Sequence, residues 1–227
     1  MTDIHRYDDV EPDHGLRGDP LHVAIIEAHI DKHYGPDSKV WRHPVSEREG
    51  SPLHLRIVEP TAERPAITAI TVGMSERPMV TPDGEELSCE LVLVFPPSWS
   101  FDTEIDTWPL MALDQLAHFP HEYSTVLGFG HTIQNPFPWS PSGLSGALIG
   151  DQVLAPSEEA TSLEWEGRTI HFYGVWFLYE DELQVKLDHG VERLWDMCVD
   201  AGITEAVAAD RPSFVPPRKR RGLFRRR

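Results

Sequence analysis

Three histidines crowd one stretch of this chain: His118 and His121 in His118-Phe119-Pro120-His121, and His131 in Gly128-Phe129-Gly130-His131-Thr132. Imidazoles so grouped could share a metal or move protons near neutral pH. A metal site needs further ligands, and no carboxylate or cysteine stands at supporting spacing. The better reading of His131 is a hydrogen bond to neighbouring backbone that locks its glycine-rich turn. A hydrolase built on His131 would have to recruit Ser75 or Asp106. Yet Gly73-Met74-Ser75 lacks the flanking glycine of a nucleophile elbow, and Ser142-Gly143-Leu144-Ser145-Gly146 also fails that spacing. His29 and His33 stand four residues apart, close enough to hold one ion together, but without an HExxH pattern or a third ligand they read as a solvent-facing pair. Cys89 and Cys198 are too few for a disulfide framework or zinc site and read as reduced core residues. No catalytic residue, metal ligand or cofactor is assigned.

Residue types suited to binding another protein are more prominent. Phe95-Pro96-Pro97-Ser98-Trp99-Ser100-Phe101 and Asn135-Pro136-Phe137-Pro138-Trp139-Ser140-Pro141 are proline-stiffened loops that carry large aromatics. Stiff loops lose little entropy on association, and aromatic anchors supply much of the energy at protein interfaces. Trp99, Phe101, Phe137 and Trp139 are therefore candidate contacts, the alternative being that they fold back as lids on the core. Asp188, Glu192, Asp196 and Asp200 recur every four residues and would form one acidic helical stripe. Its default reading is a solvated face; its functional reading is a docking face for a basic partner, extended by Glu180, Asp181 and Glu182.

The elements that must position these groups can be read in order. Asp3 to Pro12 is polar, acidic and aperiodic, so residues 1–18 are expected to be a flexible segment. Asp19 as N-cap, Pro20 in the first turn and the stripe Val23, Ile26, Ile30 predict a helix ending at Tyr34-Gly35-Pro36. Strands are expected at 54–58, 67–72 and 87–95, paired as an antiparallel meander. In the third, Leu87, Cys89, Leu91, Leu93 and Phe95 share one face while Val92 and Val94 occupy the other, as an interior strand requires. A helix from Trp108, with Leu110, Leu113 and Ala117 on its apolar side, is expected to end at His118-Phe119-Pro120-His121, since Pro120 cannot continue it. Strands over 147–153 and 168–179 follow, the second nearly all apolar and so central, with a hairpin turn at Glu164-Trp165-Glu166-Gly167-Arg168. One last helix, about 181–201, should bury Leu183, Leu187, Val191, Leu194 and Cys198.

The formal net charge of −17 is unevenly divided. Residues 211–227 hold eight of the 20 Lys and Arg and no acid, leaving 12 basic against 37 acidic residues in 1–210. Such a body repels nucleic acid and anionic membrane and steers basic partners toward itself. The tail PPRKRRGLFRRR has no period and reads as disordered, with three uses in competition: nucleic acid, anionic lipid with Leu223 and Phe224 as anchors, or the acidic body itself. No run reaches the roughly 18 apolar residues of a membrane span, and Met1-Thr2-Asp3 does not open a signal peptide, so a cytoplasmic location is expected.

The order and spacing of several runs resemble the Suppressor of fused domain family: WPLMALDQLAHFP at 108–120, GHTIQN at 130–135, TVGMSERPM at 71–79 and ELVLVFPPSW at 90–99. VWFLYEDELQVKLDHGVERLWDM at 175–197 and ADRPSF at 209–214 extend the likeness, which runs from about Trp41 to Phe214. The resemblance implies an α+β fold with a mixed, largely antiparallel central sheet flanked by helices, occupying residues 19–210. It also implies a non-enzymatic binding protein. Animal members bind a transcription factor in Hedgehog signalling, and stand-alone bacterial members are regarded as immunity proteins that neutralise toxins. With the acidic body, the expectation is an immunity protein for a basic, nuclease-like toxin, with no small-molecule substrate, acting as a monomer or weak dimer. The alternatives are an intracellular scaffold that binds a transcription factor or peptide, and a hydrolase using His131.

Overall fold

A computed structural model describes residues 15–103 and 105–216. The acidic stretch 3–12 and the basic run 217–227 lie outside the described residues.

Helix α1 (Pro20–His33) starts as its sequence predicts. The Asp19 carboxylate accepts from Leu21 N–H at 3.0 Å, and Pro20 occupies the first turn, where its missing N–H costs nothing. Next come β1 (Ser38–Trp41) and the short helix α2 (Pro44–Arg48), neither anticipated. The meander then forms at the expected places, as β2 (His54–Val58), β3 (Ile67–Val72) and β5 (Glu86–Phe95), with the two-residue β4 (Met79–Val80) paired on β5. Helix α3 (Trp108–Glu122) leads to β6 (Thr132–Gln134) and β7 (Gly146–Gly150). The hairpin β8 (Ser162–Trp165) and β9 (Arg168–Leu178) follows, and α4 (Glu180–His189) and α5 (Val191–Asp200) close the order.

One nine-stranded sheet runs β1-β2-β3-β5-β9-β7-β6, with β4 on β5 and β8 on β9. β5 and β9 pair in parallel; the other pairs of named strands are antiparallel. The expected α+β class, largely antiparallel and helix-flanked, is the observed one.

Period-two alternation decides which helix covers which face. On β9, Ile170 and Phe172 pack with Ile26 and Ile30 of α1, and Trp176 and Leu178 pack with Leu183, Leu194 and Cys198 of α4 and α5. Val175 and Phe177 point the other way, toward Leu110, Leu113 and Ala117 of α3. β5 shows the same division, with Cys89, Leu91, Leu93 and Phe95 in the α3 core and Val92 in the α1 core. The glycines ending β7 let the last two helices approach: a Cβ on Gly146 would stand 2.2 Å from Leu183, and one on Gly150 2.5 Å from Trp195.

Two helix ends differ from expectation. α3 does not stop at Pro120 but carries it as an interior residue and ends at Glu122. A proline there removes one N–H, but Tyr123 N–H still donates to the Phe119 carbonyl and Thr125 N–H to the Pro120 carbonyl, and His121 Nε2 donates to the Met74 carbonyl at 2.8 Å. The predicted single C-terminal helix is two, because Gly190 adopts φ 90°, ψ 167° and breaks it. Leu187, expected in the buried stripe, is consequently exposed.

Candidate partner-binding site

The groups that could do chemistry are wired into the fold. Ser75 is fully buried. Its hydroxyl donates to Glu90 Oε1 at 2.5 Å and accepts from His22 Nε2 at 2.8 Å, while Arg168 approaches His22 Nδ1 at 3.5 Å. The order is Arg168 to His22 to Ser75 to Glu90, so the serine proton is already held by a carboxylate. A nucleophile needs the reverse arrangement, with its hydroxyl on the imidazole and its oxygen open to substrate. Glu90 also accepts from Thr71 Oγ1 at 2.6 Å and from the N–H groups of Gly73 and Ser75. Burial nevertheless outweighs these four donors and pushes its carboxyl up to about 7.

His131 uses Nδ1 against its own turn, within 3.2 Å of Gly128 N–H and 3.1 Å of the Val126 carbonyl. Asp106 Oδ2 accepts from Thr103 Oγ1. Hydrogen bonds among the described residues join no two of Ser75, Asp106 and His131. His29 is not the solvent-facing residue that its spacing suggested: it is buried, stacked on Phe172, with Nε2 at 3.1 Å from the Ala160 carbonyl. Cys89 and Cys198 are free and buried, and burial raises both thiols, Cys198 to about 12. Among the described residues no three His, Cys, Asp or Glu side chains could hold a metal, and no helix is long and apolar enough to cross a membrane.

The aromatic loops divide. Trp99 and Phe101 fold back onto Phe95, with ring centroids 5.4 and 5.2 Å away, and the Trp99 indole donates to the Asp106 carbonyl. They act as lids. Trp139 rests on Phe177 and donates to Gln115 Oε1 at 2.9 Å, which leaves it half-buried. Phe137 stands clear at 75% exposure.

Beside Phe137 lies a groove of about 440 Å³ between α2, α3 and the 135–141 loop. Val45, Trp108, Met111 and Trp139 supply its apolar wall, and Asp114 and His118 its polar floor. Spacing along α3 explains the lining: Trp108, Met111, Gln115, His118 and Glu122 fall on one helical face. Asp114 Oδ2 accepts from Ser46 at 2.8 Å and lies 3.4 Å from His118 Nδ1. His118 in turn contacts the Asp114 carbonyl and, through Nε2, Ser51 Oγ at 2.7 Å. Burial works against the imidazolium, but the Asp114 side chain outweighs it and raises the His118 pKa.

The acidic residues Asp188, Glu192, Asp196 and Asp200 are all exposed, but the break at Gly190 puts Asp188 on α4 and the other three on α5. They are not one helical stripe. Arg211, grouped by sequence with the basic tail, is part of the folded body. It forms a bidentate pair with fully buried Glu182 at 2.6 and 2.6 Å, donates to the Phe177 carbonyl, and lies over the rings of Tyr179 and Phe214.

Sequence reasoning missed the Ser75–His22–Glu90 chain and the Asp114–His118 pair. The second had a signal, an Asp and a His four apart on a predicted helix, that was readable as a side-chain pair. The first had none, because its His22–Ser75 link joins residues 53 positions apart and its Ser75–Glu90 link joins residues on different elements.

The family model described as "Suppressor of fused protein (SUFU)" matches residues 49–212. A search of curated proteins gave no match. Among solved structures, a SUFU homologue from Neisseria gonorrhoeae superposes with a TM-score of 0.65 at 19% identity, covering 87% of this chain and 99% of that one. The Sufu–Fu complex gives a TM-score of 0.61 at 15% identity over 91% of this chain and 93% of that chain. Drosophila Suppressor of Fused gives 0.54 at 17% identity, with 76% of this chain matching 45% of that one.

Proposed function

The chain belongs to the Suppressor of fused family, whose domain is a protein-binding module, and on that premise we propose that it is an immunity protein that neutralises a basic, nuclease-like toxin by binding it. The observation that carries this reading is the groove between α2 and α3, where exposed Met111, Val45 and neighbouring Phe137 stand next to the carboxylates of Glu49, Asp114 and Glu122. Apolar side chains supply area, and the carboxylates set the sign of charge that fits. Among the described residues, no Lys or Arg lines it. The excess of acid in 1–210 extends the same field over the body and would speed encounter with a cationic partner.

No bond-making step is assigned to this chain. Its own cell should contain a basic protein that co-purifies with it, loses affinity as salt is raised, and is toxic when this chain is deleted. A neutral or acidic partner would refute the reading. A second reading, a scaffold that binds an extended peptide, is favoured by β6, a three-residue edge strand next to the 135–141 loop. A neighbour of similar fold was solved as the Sufu–Fu complex, which supports a protein partner under either reading. Pull-down of a peptide with unchanged toxin sensitivity would select the second.

A further inference from the structure

Asp114 is 4% exposed and lines the groove, yet its two oxygens are treated differently. Oδ2 has Ser46 and the His118 ring. Oδ1 is buried with no hydrogen-bond partner. A buried carboxylate oxygen without a donor is unfavourable, and folded proteins rarely keep one without a use. The described surroundings are committed elsewhere: His118 Nδ1 also contacts the Asp114 carbonyl and Nε2 contacts Ser51, and the Gln115 carbonyl oxygen faces the Trp139 indole.

We propose that Asp114 is the socket for one lysine or arginine side chain of the protein partner, inserted into the α2–α3 groove with an apolar neighbour against Trp108, Met111 and Trp139. Three features of the groove match that occupant. Among the described residues its lining includes the carboxylates of Glu49 and Asp114 and no lysine or arginine. Its volume of about 440 Å³ accommodates one long cationic side chain together with part of a neighbour. Its walls are indole and thioether surfaces, on which the methylene stem of lysine or the guanidinium face of arginine packs well. Oδ1 itself has almost no solvent-accessible surface in the free protein, so the incoming cation would have to turn the carboxylate toward the groove, where a charge-assisted bond would satisfy it.

The proposal rests on the reading of this chain as a receptor for a basic protein, and its test separates the two. The probe is acetyl-Leu-Arg-Phe-amide, titrated into the full chain by NMR, with the same peptide carrying citrulline in place of arginine as the uncharged control. Shifts in the Trp108 and Trp139 indole N–H signals should saturate with the arginine peptide. Citrulline, or Asp114→Asn, should weaken binding by about tenfold or more. Asp114→Asn should lower the stability of the free protein modestly, because it removes the carboxylate that pairs with His118 and accepts from Ser46, and should abolish the preference for arginine over citrulline; a purely structural Asp114 would lower stability and leave that preference intact. Equal binding of the two peptides, no saturable binding up to about 5 mM, or binding only when residues 217–227 are deleted would overturn the socket. In those cases a salt-sensitive basic partner captured from the cell would leave the broader reading standing.

Discussion

Replacing Glu90 by glutamine sets two opposing effects against each other in one measurable number. Glu90 sits in the middle of β5, wholly buried, and receives four hydrogen bonds from Thr71, Gly73 and Ser75. The donors favour the carboxylate and burial favours the acid; burial prevails, lifting the carboxyl from 4.5 to about 7. A folded-state pKa above the unfolded one means that the folded protein holds an extra proton between those values. Stability therefore falls as pH rises from about 4.5 to about 7 and is level above that, a total change of about 3 kcal/mol for a shift of this size. Glutamine fits the same place: its oxygen can keep the three donors on Oε1, and its amide can donate to Thr71 Oγ1, which already accepts from Leu91 N–H. Urea unfolding of wild type and Glu90→Gln from pH 4 to 8 should show the wild-type advantage shrinking by about 3 kcal/mol across that range. A difference that stays constant with pH would mean that the four donors hold Glu90 ionised, and the burial argument would be refuted.

The remaining predictions concern other parts of the molecule. Arg211→Met leaves the buried Glu182 carboxylate unpaired and should cost about 3–5 kcal/mol in urea unfolding, most of which returns when Glu182→Gln is added. The raised pKa of His118 means that its contribution is fully present below 6.5 and lost as pH rises through the folded value; His118→Asn should flatten the stability of the protein over that window, with the largest loss on the acid side. Phe137→Ala should change stability by no more than about 0.5 kcal/mol while weakening partner binding, whereas Trp99→Ala, which removes a lid on Phe95, should destabilise by about 2 kcal/mol or more.

Local periodicity carried much of the architecture. The alternation in 87–95, the cap at Asp19-Pro20 and the apolar run at 168–178 each depend on neighbours in sequence, and each forms where those neighbours predict. The hairpin at Glu166-Gly167 is also local, both residues taking the positive φ that a tight turn demands. Features set by distant contacts were not legible. The helix runs on past Pro120 to Glu122, and its last turn is tied by His121 to Met74, 47 residues away in sequence. β1 and β6 are short edge strands whose partners, β2 and β7, define them more than their own residues do. His29 looked like half of a surface pair until Phe172 and Ala160 closed over it. Gly190 was readable as a helix stop, but the apolar spacing that continues through it hid the break.

For the site, the two aromatic loops and the acidic balance pointed toward a binding surface, but which aromatic stays exposed depends on packing against Phe95 and Phe177, to which sequence spacing gives no access. Asp114 carried no sequence signal for its proposed role, because a buried oxygen without a hydrogen-bond partner, a feature it shares with Glu205, becomes visible only in the folded chain.

Whether this chain is a receptor for a cationic protein is decided by capturing the native partner on the full chain, identifying it, and measuring its dissociation constant between about 50 and 500 mM salt. A basic partner whose affinity falls steadily as salt rises is expected. A neutral or acidic partner, or a dissociation constant that does not move with salt, would contradict that expectation.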